Sequence, residues 1–241
     1  MNILLLGYGK MGKVIEGFAI SRGHNIVARI DLNNRHEFEA LSSGDVDAVI
    51  EFSHPSSGYS NVKACIEKGF PVVCGTTGWL EHKPEIDKLT QEKGGAFFYS
   101  SNYSIGVNIF FQLNKLLAKI MNPHKQYSLS TVEIHHTEKK DSPSGTAITL
   151  AEGIIENLDG RETWVNNQIA EENEVPIWSQ REGKVPGTHI IKYISDVDQI
   201  EILHQAHSRE GFALGAVVAA EWIAGKKGVF SMQDLLGEIN L

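Results

Sequence analysis

An apolar run over residues 1–6, MNILLL, is followed at once by Gly7-Tyr8-Gly9-Lys10-Met11-Gly12 and then by an amphipathic stretch reaching Arg22. Strand, tight glycine turn and helix in that order are what a dinucleotide-binding unit requires, so the first twenty residues already restrict the fold. Gly7 permits the turn, Gly9 lets a pyrophosphate approach the backbone, and Gly12 lets the helix pack closely on the strand. Tyr8, Lys10 and Met11 fill the rest of the candidate cofactor loop. A second strand over residues 25–30 ends at Asp31, the spacing at which an acidic side chain accepts hydrogen bonds from the adenosine ribose hydroxyls. Asp31 favours NADH, whereas Lys10 and Arg35 are candidates to reach a 2′-phosphate. Use of either NADH or NADPH is therefore expected.

The pattern continues as a doubly wound sheet should, with strands over residues 46–52, 71–74 and 96–100 and helices over 61–68 and 84–92. In open parallel sheets the ligand binds at the carboxyl ends of the strands. The segments Ser53-His54-Pro55, Gly75-Thr76-Thr77-Gly78 and Ser101-Asn102-Tyr103-Ser104 all follow strands, and with Ser100 at the end of its strand they should line the cofactor crevice together. Gly75, Thr76 and Thr77 offer N–H groups and hydroxyls to the nicotinamide or its ribose, and Asn102 is placed to fix the carboxamide. After Gly106 the alternation stops. A helix over residues 107–121 and strands over 126–134, 188–195 and 199–208 surround a helix from Thr146 and an irregular stretch over 159–186. A last helix of small and apolar residues, 212–225, would complete the first domain. The expected fold is thus α/β: a Rossmann-like doubly wound parallel sheet made of residues 1–105 and 212–241, with an inserted α+β domain over 106–211 for substrate binding and oligomerisation. The two crossings would act as hinges. Apolar strands such as residues 189–194 leave sheet faces to cover, and self-association is one way to cover them.

The chemistry concentrates in Glu133 to Ala147, EIHHTEKKDSPSGTA. A strand over residues 131–134 delivers the histidines to a loop, residues 141–144 turn, and a helix runs over 146–158. Ser144 is a helix cap, and the N–H groups of Gly145 and Thr146 point outward where a carboxylate can sit. Lys139 and Lys140 add positive charge in a protein of formal net charge -8, so the local cationic character is not a by-product of composition. His135 and His136 are adjacent, and neighbours on a strand face opposite sides, so one metal ion would not easily take both and no metal site is expected. The easier division of labour puts one imidazole toward the reacting atoms and the other toward a substrate carboxylate. With an ordinary pKa of about 6.5, imidazole suits proton transfer.

Composition removes other classes. The acidic balance argues against nucleic acid, which wants a basic face. No apolar run approaches the roughly 20 residues needed to cross a bilayer, and Met1-Asn2 leads into a strand without a basic leader, so a cytoplasmic protein is expected. Cys65 and Cys74 have no spacing of a metal knuckle or redox pair and read as reduced structural thiols.

Across both domains the chain resembles the 4-hydroxy-tetrahydrodipicolinate reductase (dihydrodipicolinate reductase) family. The most specific element is residues 135–147, HHTEKKDSPSGTA, and GYGKMG, GTTG, SNYSIGVN and HSREGFALGA follow in the family's order. The resemblance implies reduction of the dehydrated form of a cyclic imine dicarboxylate to tetrahydrodipicolinate by NADH or NADPH. It makes His135 the acid/base, His136 a substrate contact, Lys139 the proton donor, and Gly145 with Thr146 the carboxylate holder. Residue chemistry adds Lys140 and Ser144 to the substrate-binding set. Arg209 and Phe212 are candidates to position cofactor or hinge. A homotetramer is the expected assembly. Two other classes fit the first domain: a different NAD(P)-linked oxidoreductase, which would not call for a dicarboxylate pocket, and an idle dinucleotide sensor, which would not need His135 and Lys139.

Overall fold

The structure is a computed structural model, and residues 1–208 and 210–237 are described. By its internal contacts the chain forms two compact units, Met1–Ile105 with Glu210–Leu241, and Gly106–Arg209. In the first, β1 (Asn2–Leu6), β2 (Asn25–Ile30), β3 (Ala48–Glu51), β4 (Val72–Cys74) and β5 (Ala96–Tyr99) alternate with α1 (Lys10–Ser21), α2 (Arg35–Ala40), α3 (Pro55–Glu67) and α4 (Lys83–Lys93). Beyond the second unit, α7 (Glu210–Ile223), β12 (Gly228–Phe230) and α8 (Met232–Leu236) complete it. The six strands are all parallel, in the order β12-β5-β4-β3-β1-β2.

Side-chain chemistry explains this layout. Residues 3–6 are buried without alternation, as a parallel strand covered on both faces must be. Ile3, Leu5 and Ile50 face one core with Ile15, Ala19 and the small residues of α7, while Leu4, Leu6 and Val49 face the other with Val62, Ile66 and Phe70. Two glycines have no substitute. A Cβ on Gly7, whose φ is +99°, would lie 2.2 Å from the Phe52 carbonyl oxygen, and a Cβ on Gly12 would lie 2.4 Å from the Gly7 carbonyl oxygen.

The second unit holds α5 (Ile105–Met121, which starts at the boundary), β6 (Ser128–His135), α6 (Gly145–Ile155), β7 (Thr163–Val165), β8 (Glu174–Pro176), β9 (Trp178–Arg181), β10 (Thr188–Ile194) and β11 (Gln199–Gln205). Its four-stranded sheet runs β11-β10-β6-β9, antiparallel except for the parallel β6–β9 pair. On β6, Leu129, Thr131, Glu133 and His135 alternate inward, so a buried face that begins apolar ends polar. That switch positions the site.

Several boundaries differ from those the sequence suggests. The α3 helix starts at Pro55 rather than residue 61, because proline is preorganised for a helix's first turn and His54 caps it by accepting from the Ser56 N–H. The irregular stretch 159–186 contains three short strands, and His135 ends β6 instead of lying beyond it. Among the described residues no helix is long and apolar enough to cross a membrane.

Candidate active site

In the first unit, the carboxyl ends of β1, β2 and β3 surround a cavity of about 500 Å³. Gly7, Tyr8, Gly9 and Asp31 line it, as do Arg35 and Asn61. The Tyr8 hydroxyl donates to Glu16, which also pairs with Arg29, so the ring is anchored over the helix start. Asp31 is exposed, its Oδ1 accepting from the Leu32 N–H at 2.8 Å. Arg35 donates to Asn61 Oδ1 at 2.7 Å and lies over the Phe38 ring. Lys10, by contrast, is exposed on the first turn of α1, Met11 packs into the core, and Gly12 is buried; none of the three lines this cavity.

The later loops divide. Thr76 is buried, and its hydroxyl accepts the Ser53 N–H at 2.8 Å, tying the segment after β4 to the one after β3. Gly75 lies against the Phe52 ring, which leaves no room for a Cβ, while Thr77 is exposed. Ser100 Oγ accepts the Asn102 N–H, and Asn102 Oδ1 accepts the Ser104 N–H at 2.9 Å, which makes a self-bonded turn with Ser101 exposed. Tyr103 needs correcting as a cofactor contact. Its side chain is in the core, 1% exposed, and its hydroxyl donates to the Cys74 carbonyl at 2.8 Å. Asn61 and Ser57, which also line the cavity, had a signal in Pro55, since the earlier helix start turns both toward β3.

In the second unit, β6 ends and the loop to α6 begins at the same point. His135 is 8% exposed, and its Nδ1 lies 2.8 Å from Glu133 Oε2. Burial pushes the Glu133 carboxyl up, but hydrogen bonds from His135 and Ser144 outweigh it and hold the group well below the usual carboxylate range. Arg181 Nη2 donates to Glu133 Oε1 at 3.1 Å and to the Asp141 carbonyl at 2.6 Å. His189 packs edge-on against His135, ring centres 5.2 Å apart; burial, then the neighbouring His135, pushes its pKa down to about 3, so it is neutral. Sequence spacing singles out neither Arg181 nor His189, because both arrive from other strands.

The loop carries its charge outward. Lys139 Nζ donates to both Asp141 oxygens, at 2.9 and 2.7 Å, and that ion pair holds the Asp141 carboxyl down. His136 is half-buried and Lys140 exposed. Ser144 is 2% exposed and its hydroxyl accepts the Ala147 N–H at 3.2 Å, so it caps α6 as the sequence suggests, with its own proton left to donate. Gly145 is exposed and Thr146 half-exposed, leaving the first free N–H groups of the eleven-residue α6 for an anion. Arg209 lies outside the described residues, and Phe212 is half-buried near the start of α7.

Comparison with known proteins gives a consistent result. Residues 1–103 match the family model described as dihydrodipicolinate reductase, N-terminus, and residues 106–236 the one described as dihydrodipicolinate reductase, C-terminus. A 4-hydroxy-tetrahydrodipicolinate reductase of Christiangramia forsetii is 46% identical over 239 residues, covering 99% of each chain. One from Methanosarcina barkeri is 34% identical over 98% of this chain and 99% of its own. A solved dipicolinate-bound dihydrodipicolinate reductase from Paenisporosarcina sp. TG-14 shares the fold, with a TM-score of 0.79 at 19% identity over 98% of this chain and 99% of that one. Both halves of the pattern are present in one chain of matching length, and this chain accordingly belongs to the dihydrodipicolinate reductase family, as an NAD(P)-dependent oxidoreductase.

Proposed function

We propose that the chain reduces 4-hydroxy-tetrahydrodipicolinate, through its dehydrated cyclic imine, to tetrahydrodipicolinate in the diaminopimelate route to lysine. The observation that carries this reading at the level of residues is the loop from His136 to Ser144: it places Lys139 and Lys140 between the buried His135 and the open N-terminus of α6. Hydride addition to a conjugated imine loads the ring with electron density and requires one proton, while two carboxylates must be neutralised. Lys139 donates that proton, and His135 is the acid/base beside it. Gly145 and Thr146 take one carboxylate at the helix N-terminus, worth about 0.3–1 kcal/mol at a wet surface, with His136 and Lys140 sharing the rest. The nicotinamide cofactor, when bound, supplies the hydride.

The cofactor is held at Gly7, Tyr8 and Gly9, with Asp31 on the ribose hydroxyls and Arg35 for a 2′-phosphate, so NADH and NADPH both serve. Support for this comes from the two side chains of opposite charge lining one cavity. Arg35→Ala is expected to raise KM for NADPH about 10- to 100-fold, the range for a lost charge-assisted hydrogen bond, and to leave KM for NADH nearly unchanged. Equal effects on the two cofactors would take Arg35 off the phosphate.

Free, buried Cys65 and Cys74 suit a reducing, cytoplasmic setting. Assembly as a homotetramer is supported by apolar side chains left exposed on the second sheet, among them Trp178, Ile200 and Leu203. The direct test of function is NADH or NADPH oxidation with freshly generated product of the preceding lysine-pathway synthase. Oxidation with either cofactor is expected; a chain that binds cofactor and oxidises neither would overturn the assignment.

A further inference from the structure

A buried carboxylate stands behind the reactive imidazole, and nothing in the chemistry so far uses it. Glu133 and His135 are two apart on β6 and share a face. Strand register sets His189 of β10 opposite Glu133 and Arg181 of β9 opposite His135, so four residues from three strands meet on that face. Glu133 is fully shielded from water, which a carboxylate tolerates only when its oxygens are matched. Oε1 is matched by Arg181 Nη2 and by the Ser144 N–H, both at 3.1 Å. Oε2 faces His135 Nδ1 at 2.8 Å without a well-aligned hydrogen bond between them, and neither atom has another partner among the described residues, so each is the one the other can take.

On the far side of the same ring, a Cβ placed on Gly187 would lie 3.0 Å from His135 Nε2. The bare α-carbon keeps space open beside that nitrogen. We propose that Glu133 is the positioning residue of His135: it accepts the Nδ1 proton, fixes the Nδ1–H tautomer, and leaves Nε2 as the atom that exchanges a proton with the ligand. This rests on reading His135 as the acid/base. The remaining charged groups around the ring fit the arrangement. Arg181 holds the carboxylate in place, Lys139 is paired with Asp141, Glu182 meets His135 through its backbone N–H, and a neutral His189 adds no competing charge.

Glu133, His135 and His189 bring possible ligand atoms within 4.8 Å of one another, so a metal ion is the competing explanation. The distances favour the proton. Two ligands of one tetrahedral zinc sit about 3.3 Å apart, given bonds of about 2.0 Å. The 2.8 Å contact is shorter than that, and the guanidinium on Oε1 repels a dication.

The test is the tautomer in the native protein, read from ¹⁵N shifts of labelled histidine, with His135 assigned by the signal missing in His135→Gln. Above the imidazole pKa, Nδ1 should be protonated and Nε2 bare; an Nε2–H tautomer would overturn the proposal. In Glu133→Gln the amide no longer stabilises the imidazolium, so kcat should fall about 100-fold with KM for NADH unchanged. The imidazole limb of the pH profile should move to lower pH by about one unit. A limb that stays in place in a folded Glu133→Gln would also count against it. If that variant does not fold, the native tautomer still decides, and the oxidation assay on the native chain reports separately on the reductase reading.

Discussion

Lys139→Ala is expected to turn over at least 100-fold more slowly than the native chain, since a positioned general acid is worth about 10²–10⁴. Lys139 Nζ is held by the Asp141 carboxylate in a loop anchored at one end by His135 and at the other by the α6 cap, so the ammonium is oriented before any ligand arrives. Its affinity for NADH should be almost unaffected, because every residue around the nucleotide cavity belongs to the other unit. Lys139→Arg separates charge from proton. Arginine keeps the cation but does not release a proton at working pH, so turnover should remain low if the lysine is an acid. Single-turnover rates with NADH, beside a fluorescence titration of NADH binding, make the measurement. Near-normal turnover in Lys139→Ala would remove the residue from the mechanism, and full rescue by arginine would reduce its role to charge.

Acid should weaken the protein sooner than an acidic chain suggests, and His189 is the reason. Its pKa is about 3 in the folded state against about 6.5 when unfolded. Between those values the unfolded chain binds the extra proton, so stability falls as pH falls, beginning near 6.5 and levelling off near 3. One proton is worth about 1.4 kcal/mol per pH unit, which makes the loss from pH 6.5 to 5 about 2 kcal/mol. Glu133 acts at lower pH. Its depressed pKa contributes stability above the ordinary carboxylate value, lost as pH falls through the folded value. Urea midpoints at pH 7.5, 6 and 5 should therefore drop steeply in the native chain and more gently in His189→Gln. Parallel slopes for the two proteins would mean that His189 is protonated in the fold.

Much of the first unit is legible because its signals are local. MNILLL followed by spaced glycines is a strand, a turn and a helix within one short window, and each later strand of the parallel sheet is a short apolar run. What fails is whatever depends on pairing. WSQR shows no apolar alternation, yet it forms β9 because β6 supplies a parallel partner. GVF is only three residues at the edge of a sheet, and β5 supplies its hydrogen bonds. The active loop divides in the same way. Lys139, Gly145 and Thr146 are visible in a contiguous motif, while Arg181 and His189 reach Glu133 only through sheet register. Glu133 itself had a signal, a carboxylate two residues before a histidine on a strand. Tyr103 misled because its hydroxyl is spent inside the fold, on a backbone carbonyl.

The return of α7 to the first core has a consequence for synthesis on the ribosome. Ala213 to Ile223 share a buried cluster with Ile3 and Leu5, so the amino-terminal strands wait for that helix before their core is sealed. The middle of the chain, with Phe110, Leu150, Ile191 and Tyr193 in a cluster of its own that Ile202 also joins, has all its partners once β11 emerges at residue 205. Domains usually complete in order from the amino terminus; in this nascent chain the inserted one finishes first, and the segment made earliest is the last to be closed.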